Sequence, residues 1–243
     1  MTKLYVLRFS HPAMAARLML EQAGIEHEVV SLPIGFHRLL LRRLKFPGLT
    51  VPALVLDGRK VQGSLEISRA VEARGPAGVL FPVDPVARRR VEEAERWAEA
   101  ELQPIPRRLF RWALARDGGL RRRAARATGL PLSGVLGTLM KPMAVRLARA
   151  SGADEAAVRN DFARLPAFLD RIDGWIGDGT IGGSPPNAAD YQIGTSLAAM
   201  LVMEDLCPLV EGRPAAELAR RIVPQYPGRL TSVLPPGWAW DGD

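Results

Sequence analysis

The amino-acid sequence predicts an α/β N-terminal domain followed by an all-α C-terminal domain. Over residues 1–81, short β-branched and aromatic runs alternate with amphipathic segments in the order βαβαββα. That order gives a small sheet with parallel and antiparallel pairs, covered by helices. The domain expected at residues 88–230 has helical apolar spacing instead. Residues 82–87 are the expected linker, and the Pro- and Gly-rich residues 231–243 are an irregular tail.

Local signals mark the elements of the N-terminal domain. Pro12 suits the first turn of a helix because its missing N–H needs no partner there, and Gly24 stops that helix. The Asp-Gly pair at 57–58 is a tight hairpin signal, and Ser64 has the chemistry of a helix N-cap. The predicted elements are strands at 3–9, 26–32, 49–58 and 59–63, and helices at 12–23, 39–44 and 64–74.

The second domain opens with an N-cap and a proline at the first helical position, Asp84 and Pro85. A long helix follows, which Pro104 and Pro106 should kink or interrupt because proline has no N–H to donate. The further predicted helices are 107–126, 133–150, 154–177, 188–204 and 212–223.

Composition and charge exclude several classes of protein. The 243 residues carry a net charge of +7, but the basic residues are scattered and their densest cluster, at 121–123, lacks interleaved aromatics, so we expect no nucleic-acid partner. No apolar run reaches the roughly 18 residues of a membrane helix, and the N-terminus has no signal pattern. We therefore expect a cytoplasmic protein without a membrane partner. The single cysteine, Cys207, rules out an intramolecular disulfide, and the three histidines lack metal-ligand spacing, so no metal is expected.

Residues 9–12 place a hydroxyl and an imidazole directly before an apolar helix. A serine nucleophile paired with His11 is excluded, because adjacent side chains on an extended segment point apart. No Gly-x-Ser-x-Gly turn surrounds Ser10 either. Ser10 is therefore either a helix cap or a group that handles the reactive atom of another molecule.

Two further sites each have a purely structural alternative. Val51-Pro52 is explained by a trans proline at a strand entry, whereas a cis bond would turn the backbone groups of Val51 toward an extended peptide. Ser64 needs no function beyond capping, but helix N-termini attract anions, and Gln62, Gly63 and Ser64 together would make a compact carboxylate site.

Together these features resemble the cytosolic glutathione S-transferases, over nearly the whole chain. The first similar stretch has Ser10, then a proline, then Arg17 seven positions after the serine, which is typical of serine-type members. The other three are residues 46–52, ending in Val-Pro, residues 62–67, similar to a Glu-Ser-x-x-Ile motif, and residues 182–194, similar to a folding motif with an aspartate. The resemblance implies a thioredoxin-like N-terminal domain of the theta-like kind and a helical C-terminal domain.

The resemblance also implies a function and a set of site residues. The chain would be a glutathione transferase that activates the glutathione thiolate for attack on a small hydrophobic electrophile, with Ser10 as the catalytic hydrogen-bond donor to the sulfur. Glutathione, the co-substrate, would be bound by His11, His37, Thr50, Val51, Pro52, Gln62, Gly63 and Ser64. The electrophile would lie between the domains against Arg107, Phe110, Arg111 and Met140, which otherwise read as ordinary core or surface. Asn187 and Asp190 would cap a core helix reciprocally. Members of the family usually dimerise and serve detoxification, so we expect a homodimer.

Two departures from the family pattern keep alternatives open. Thr50 replaces a lysine that contacts the glycine carboxylate of glutathione, a contact for which His37 could compensate. Gly63 replaces an acidic residue that holds the γ-glutamyl amine, so Gln62 or Glu66 would have to help. A non-catalytic binding or partner-docking module therefore stays open, as does a related glutathione-dependent isomerase or lyase. A thiol–disulfide reductase of this family would need a cysteine at position 10.

Overall fold

In the residues that the computed structural model describes (1–127, 133–231, 234–235 and 238), the N-terminal domain is built on a four-stranded mixed sheet. The strands are β1 (Lys3–Val6), β2 (Glu28–Ser31), β3 (Ala53–Leu56) and β4 (Arg59–Gln62), in the spatial order β2-β1-β3-β4. β1 pairs parallel with β2 and antiparallel with β3, which pairs antiparallel with β4. The predicted topology is confirmed.

Three helices cover the two faces of this sheet: α1 (His11–Gln22), α2 (His37–Arg43) and α3 (Ser64–Arg74). Side chains alternate along β1, so Leu4 and Val6 point into the main core with α1 and α3, while Tyr5 packs on the other face. There Tyr5 meets Phe46 edge to face, with Leu41 of α2 beside them. The alternation thus explains why both faces are covered.

Several predicted boundaries of this domain are wrong by a few residues. β1 ends at Val6 and not at residue 9, because the chain turns there and the N–H of Ser10 donates to the carbonyl of Leu7 at 3.0 Å. α2 begins at His37, two residues before the predicted start. The early end of β1 matters for the site, because it puts a turn between the first strand and Ser10.

The long helix at the start of the C-terminal domain is interrupted where the prolines predicted it. α4 (Pro85–Trp97) begins inside the predicted linker, with the carboxylate of Asp84 capping the N–H groups of Val86 and Ala87. A π-helical turn at 98–102 then leads into α5 (Pro104–Arg116), whose first positions tolerate proline. Two predicted helices are in fact pairs: α5 is followed by α6 (Gly118–Ala127), and α7 (Ser133–Leu139) by α8 (Lys141–Ala150).

The remaining helices complete the core. They are α9 (Glu155–Gly177), α10 (Ala188–Leu201), α11 (Cys207–Val210) and α12 (Pro214–Ile222). α10 is buried along almost its whole length and packs against α1, α4 and α12. Gly194 allows the close approach of α12, since a Cβ at that position would stand 2.7 Å from the side chain of Ile222. α10 therefore links the two domains.

The C-terminal tail packs back onto the helical domain where it is described. The ring of Trp238 stacks on Trp112, with ring centroids 5.5 Å apart, and the guanidinium of Arg159 lies 3.9 Å from the centroid of the Trp238 ring. The rest of the predicted tail, at 232–233, 236–237 and 239–243, lies outside the described residues. Among the described helices, none combines the length and the apolar character needed to cross a bilayer.

Candidate functional site

One edge of the sheet gathers the predicted ligand-binding positions. Tyr5 pairs with Ala53, which also pairs with Gln62, so the register places Leu7, Val51 and Ser64 level with one another just beyond the paired residues. β2 runs parallel to β1 and therefore ends at the same edge, before the loop that leads to α2. Positions distant in sequence meet here because of the strand pairing.

Ser10 lies at the N-terminus of α1 on this edge. It is the N-cap, with an extended backbone (φ −86°, ψ 105°), and its Oγ accepts from the N–H of Ala13 at 3.4 Å. The hydroxyl is half-buried. Because the capping bond uses Oγ only as an acceptor, the hydroxyl hydrogen is available to donate to a ligand atom. A donor at the positive end of a helix dipole stabilises an anion.

His11 is buried in the contact between the domains and not open to the ligand edge. Its side chain is 6% exposed, and its Nε2 has no hydrogen-bond partner among the described residues. Burial first, and then the charge of Arg107, lower the pKa of His11 to about 3, against the raising effect of the backbone carbonyl of Gln103. The imidazole is therefore neutral at physiological pH and adds no positive charge to the sulfur position.

The loop before β3 is held by a side chain that sequence analysis assigned to the ligand. The Val51-Pro52 peptide bond is cis, and among the described residues no group bonds to the backbone N–H or C=O of Val51. The Gln62 amide instead clamps the loop: its Oε1 accepts from the N–H of Gly48 at 2.5 Å, and its Nε2 donates to the carbonyl of Thr50 at 2.6 Å. Gln62 thus positions Val51, and both ends of its amide are engaged within this loop.

Ser64 is the first residue of α3, and the N-cap is Gly63, so the predicted capping role of Ser64 is wrong. Gly63 has φ +92°, a region that L side chains rarely adopt, which accounts for a glycine where the family pattern has an acidic residue. The Ser64 hydroxyl is buried (2% exposed) and accepts from the side-chain amides of Gln192 at 2.9 Å and Gln103 at 3.4 Å.

These two glutamines tie Ser64 to the helical domain, and sequence analysis missed both. Gln192 lies in α10, 128 residues from Ser64 in the chain. Gln103 ends the π-helical turn, where its N–H bonds back five residues to Ala98 at 2.8 Å. The available signal in the sequence was Gln192 itself, a polar residue inside the apolar helix α10. Such π-helical turns often occur at functional sites.

Two carboxylates stand beside the start of α3. Burial first, and then the nearby charge of Glu66, raise the pKa of Glu99, while Arg107 and the backbone of Leu65 act to lower it. Glu99 Oε2 has no hydrogen-bond partner among the described residues. Two carboxylates close together, one of them buried, make a place that favours a cation. Glu99 was not foreseen, although it follows the buried Glu95 by one helical turn.

α5 presents three arginines to a cavity of about 320 Å³ in the helical domain. The described residues that line it are Pro104, Arg107, Arg108, Arg111 and Ser151, and we call it the arginine cavity. Burial and the charge of Arg107 lower the pKa of Arg111 to about 10, so both side chains stay cationic at neutral pH.

His37, in the N-terminal domain, lies near enough to Arg111 to feel its charge. Burial, and then the charges of Arg38 and Arg111, lower the pKa of His37, and its Nδ1 has no hydrogen-bond partner among the described residues. Of the other predicted pocket residues, Phe110 packs against the main core, and Met140 is the N-cap of α8. The structure therefore brings Arg107 and Arg111 together, but not all four predicted pocket residues.

The head of α10 is held by a reciprocal capping box. The Asn187 side chain accepts from the N–H of Asp190 at 3.1 Å, and Asp190 accepts from the N–H of Asn187 at 2.8 Å and of Gly182 at 2.6 Å. Burial raises the pKa of the fully buried Asp190 against these N–H donors. Across the described residues, no group of three or more His, Cys, Asp or Glu side chains is placed to hold a metal ion.

A mixed sheet with a cis-proline at its ligand edge, joined to a helical domain, defines a thioredoxin-like protein with an all-α extension. Comparisons with known proteins agree. Residues 4–78 match the family model described as glutathione S-transferase, N-terminal domain. No curated protein matches the sequence of this chain. The N-terminal domain therefore resembles that of the glutathione S-transferases, and the chain shares the fold of these proteins.

Solved structures similar to this chain have the same two-domain architecture. Glutathione transferase F2 from Populus trichocarpa has a TM-score of 0.62 and 17% identity, covering 91% of this chain and 92% of that one. A glutathione S-transferase from Methylobacillus flagellatus, solved with glutathione bound, has a TM-score of 0.58 and 17% identity, covering 91% of this chain and 93% of that one. A possible glutathione S-transferase from Rhodopseudomonas palustris has a TM-score of 0.56 and 17% identity, covering 97% of this chain and 99% of that one. At these identities the likeness concerns the fold.

Proposed function

We propose that the chain is a serine-type, theta-like glutathione transferase that activates the glutathione thiol for attack on an electrophile. The observation that carries the proposal is the gathering of Ser10, Val51 and Ser64 at one edge of the sheet, around a backbone that has free hydrogen-bonding groups. An extended peptide needs such free N–H and C=O groups, and a thiolate needs a donor and a helix N-terminus.

Thiolate activation requires only modest chemistry from the protein. A free thiol titrates near pH 8.5, and the thiolate is the nucleophile. The Ser10 hydroxyl donates to the sulfur, and the dipole of α1 adds to the stabilisation of the anion, so the thiol loses its proton to solvent at a lower pH. The sulfur then forms a bond to an electrophilic carbon. With an aryl halide, the halide leaves with the electron pair of the broken carbon–halogen bond.

The rest of glutathione lies along the same edge in this proposal. The backbone N–H and C=O of Val51 pair with the cysteinyl unit, and Thr50 and Pro52 flank that contact. The start of α3 at Ser64 receives the γ-glutamyl carboxylate, as helix N-termini do. Glu66 and Glu99 hold the γ-glutamyl ammonium. These two carboxylates take the place of the acidic residue that is absent at Gly63. His37 donates to the glycine carboxylate, as a neutral donor.

The electrophile is proposed to lie between the domains, where Arg107 and Arg111 border the arginine cavity. Detoxification of reactive compounds is the proposed role, in a cytoplasmic homodimer. These three features rest on the resemblance to the family and not on a contact within the chain.

A non-catalytic, glutathione-transferase-like binding module is the second candidate, and a specific observation favours it. The Ser64 hydroxyl, which would face the ligand, is 2% exposed and already accepts from two glutamine amides. A site built this way leaves the Ser64 hydroxyl hydrogen and the backbone of α3 as the groups for an anion, with little room for a ligand to reach the hydroxyl. A binding module would take up glutathione or a partner without turnover.

Calorimetric titration with glutathione tests the binding half of the proposal. The variants are Ser64→Ala and, as a matched control in the same helix, Ser68→Ala. Ser68 is equally buried, but its hydroxyl donates to the carbonyl of Leu65 within α3. We expect Ser64→Ala to weaken glutathione binding about tenfold and Ser68→Ala to leave it unchanged. No measurable heat from the wild type at millimolar glutathione would refute the proposal.

Conjugation of an aryl halide tests the catalytic half. We expect Ser10→Ala to lower kcat/KM by at least about tenfold and to raise the pKa of enzyme-bound glutathione, read from thiolate absorbance across a pH series. Asp84→Ala is the control, because it also removes a helix N-cap but lies at the exposed start of α4. Binding of glutathione with no conjugation by the wild type favours the binding module.

A further inference from the structure

The arginine cavity has more positive charge than the protein itself neutralises. Arg111 follows Arg107 by four residues and Arg108 by three, about one turn of α5, and all three line the cavity. The side chain of Arg108 is paired, because it donates to a carboxylate oxygen of the buried Asp161. In the described parts of the chain, no carboxylate forms an ion pair with either Arg107 or Arg111. Two of the three guanidiniums therefore lack a counter-ion.

The surroundings make this lack of a counter-ion unfavourable for the empty site. Burial lowers the pKa of Arg107, and burial together with the charge of Arg107 lowers the pKa of Arg111 to about 10. The nearest acid to Arg107 is Glu99, which acts on it only through space. Arg107 is exposed and Arg111 is half-buried, so the unpaired charge that is partly withdrawn from water is that of Arg111. Protein sites seldom keep such a cation unpaired unless a ligand supplies the opposite charge.

The two imidazoles near these arginines add no competing anion. His11 is close enough to Arg107, and His37 close enough to Arg111, for the guanidiniums to depress the pKa of each imidazole. Both rings are therefore neutral. The two arginines stay free to form forked hydrogen bonds, a geometry that matches a carboxylate. A cavity of about 320 Å³ is at the small end of ligand pockets, large enough for a single aromatic ring with its substituents.

We propose that Arg107 and Arg111 bind the carboxylate of the second substrate, so that the electrophile is an aromatic or unsaturated acid and not a neutral hydrophobic compound. The identity of the electrophile rests on the proposed transferase function. The anion site does not, because it is inferred from the unpaired charges and the cavity. The carboxylate orients the ring, and the carbon that receives the sulfur points toward Ser10. The bond changes are those of the conjugation described above, and the carboxylate takes no part in them.

The glycine carboxylate of glutathione is the other possible source of the same chemistry. An unreactive probe, 3,5-dinitrobenzoate, distinguishes the two by calorimetry, without and with saturating glutathione. We expect binding in both conditions, weakened about tenfold in Arg111→Gln. The matched control is Arg116→Gln, which removes the same charge from the same helix, beyond the residues that line the cavity, and which should bind the probe like the wild type.

The outcomes separate this proposal from the proposed function. If glutathione abolishes probe binding, the cavity holds glutathione itself, and the proposal fails while the transferase function stands. If the probe does not bind, or binds equally to all three proteins, the proposal also fails. If the probe binds and Arg111→Gln weakens it, but glutathione gives no heat, the anion site stands and the transferase function fails.

A kinetic pair completes the test in an active enzyme. The substrates are 4-chloro-3,5-dinitrobenzoate and the neutral 4-chloro-3,5-dinitrobenzamide, with each rate divided by its uncatalysed rate. We expect the wild type to favour the acid by at least about tenfold in kcat/KM, and Arg111→Gln to lose most of that preference. Arg116→Gln should keep it. An equal acid-to-amide ratio in all three proteins would overturn the assignment.

Discussion

Two parts of the contact between the domains are built in opposite ways. On one side, three buried or partly buried polar pairs cross between the domains: Gln22 with Tyr191, Ser64 with Gln192, and Arg69 with Glu95. We call these the hydrogen-bonded interface. A few residues away, the arginine cavity leaves two cations without a counter-ion in the described chain. A charge that is paired within the chain serves the fold, whereas one without a counter-ion points to a ligand.

The hydrogen-bonded interface should be sensitive to the loss of any partner, and Glu95→Ala gives the largest expected effect. Glu95 is completely buried, and its Oε2 accepts from Arg69 at 2.5 Å. We expect the free energy of unfolding, measured by urea denaturation, to fall by about 3 kcal/mol, because the substitution empties a fully buried site and leaves the 31% exposed Arg69 without its charge partner. Glu93→Ala, at an exposed position of the same helix, is the control. Equal losses from the two variants would contradict the contrast.

His11 lies where the two parts meet, against Gln103 on one side and Arg107 on the other, and it predicts a pH dependence. Its pKa is about 3 in the folded protein, whereas an unfolded chain binds this proton below about pH 6.5. Stability from this group is therefore complete above pH 6.5 and falls as the pH is lowered toward 3. Between pH 7.5 and 5 the loss amounts to about 2 kcal/mol.

Comparison of the wild type with His11→Asn isolates this effect. The isolation is needed because burial raises the pKa of the carboxyls of Glu95, Glu99 and Asp190, and such groups add stability as the pH falls. These carboxyls are present in both proteins. We expect the wild type to lose more stability than the variant on going from pH 7.5 to pH 5 in urea titrations. Parallel curves for the two proteins would show that His11 is not held neutral.

Tyr191→Phe is a milder test of the hydrogen-bonded interface. The Tyr191 hydroxyl donates to the Gln22 Oε1 at 2.5 Å, while the Gln22 amide donates to the carbonyls of Val79 and Pro186. Removing the hydroxyl leaves Oε1 without its donor, so we expect a loss of about 1 kcal/mol in the free energy of unfolding. Gln22→Ala in the same background should then cost less than it does in the wild type, and independent losses would show that the pair is not coupled.

The arrangement at the sheet edge could be predicted from the sequence because it depends on local signals. Short strands, the hairpin at 57–58 and the helix start at Pro12 determine a topology, and the topology brings Ser10, Val51 and Ser64 together. The helix boundaries were harder to predict from the sequence. Apolar periodicity continues from α5 into α6, and the break at Asp117 depends on its side chain, which accepts from the N–H of Gly119 at 2.6 Å.

Contacts between the domains could not be predicted, because they join residues that share no local pattern. Gln192 meets Ser64 only after α10 packs beside α1, and a buried glutamine in an apolar helix does not reveal its partner. The burial of His11 similarly depends on α5, far along the chain. A histidine beside the candidate catalytic serine therefore looked like part of the ligand site. Tertiary packing decided its role, and no spacing in the sequence records that.

The arginine cavity supplies the smallest expected effect and the sharpest test of the contrast. If Arg107 and Arg111 served the fold, then Arg111→Gln would cost stability, as substitutions in the hydrogen-bonded interface do. Because Arg111 has no ion pair in the described chain and lies near the charge of Arg107, its loss removes only a repulsion. We expect the free energy of unfolding to stay within about 0.5 kcal/mol of the wild type, or to rise slightly, in urea titrations without ligand. A loss greater than that of Tyr191→Phe would mean that the arginines stabilise the domain contact, and the unpaired charges would then no longer point to a ligand.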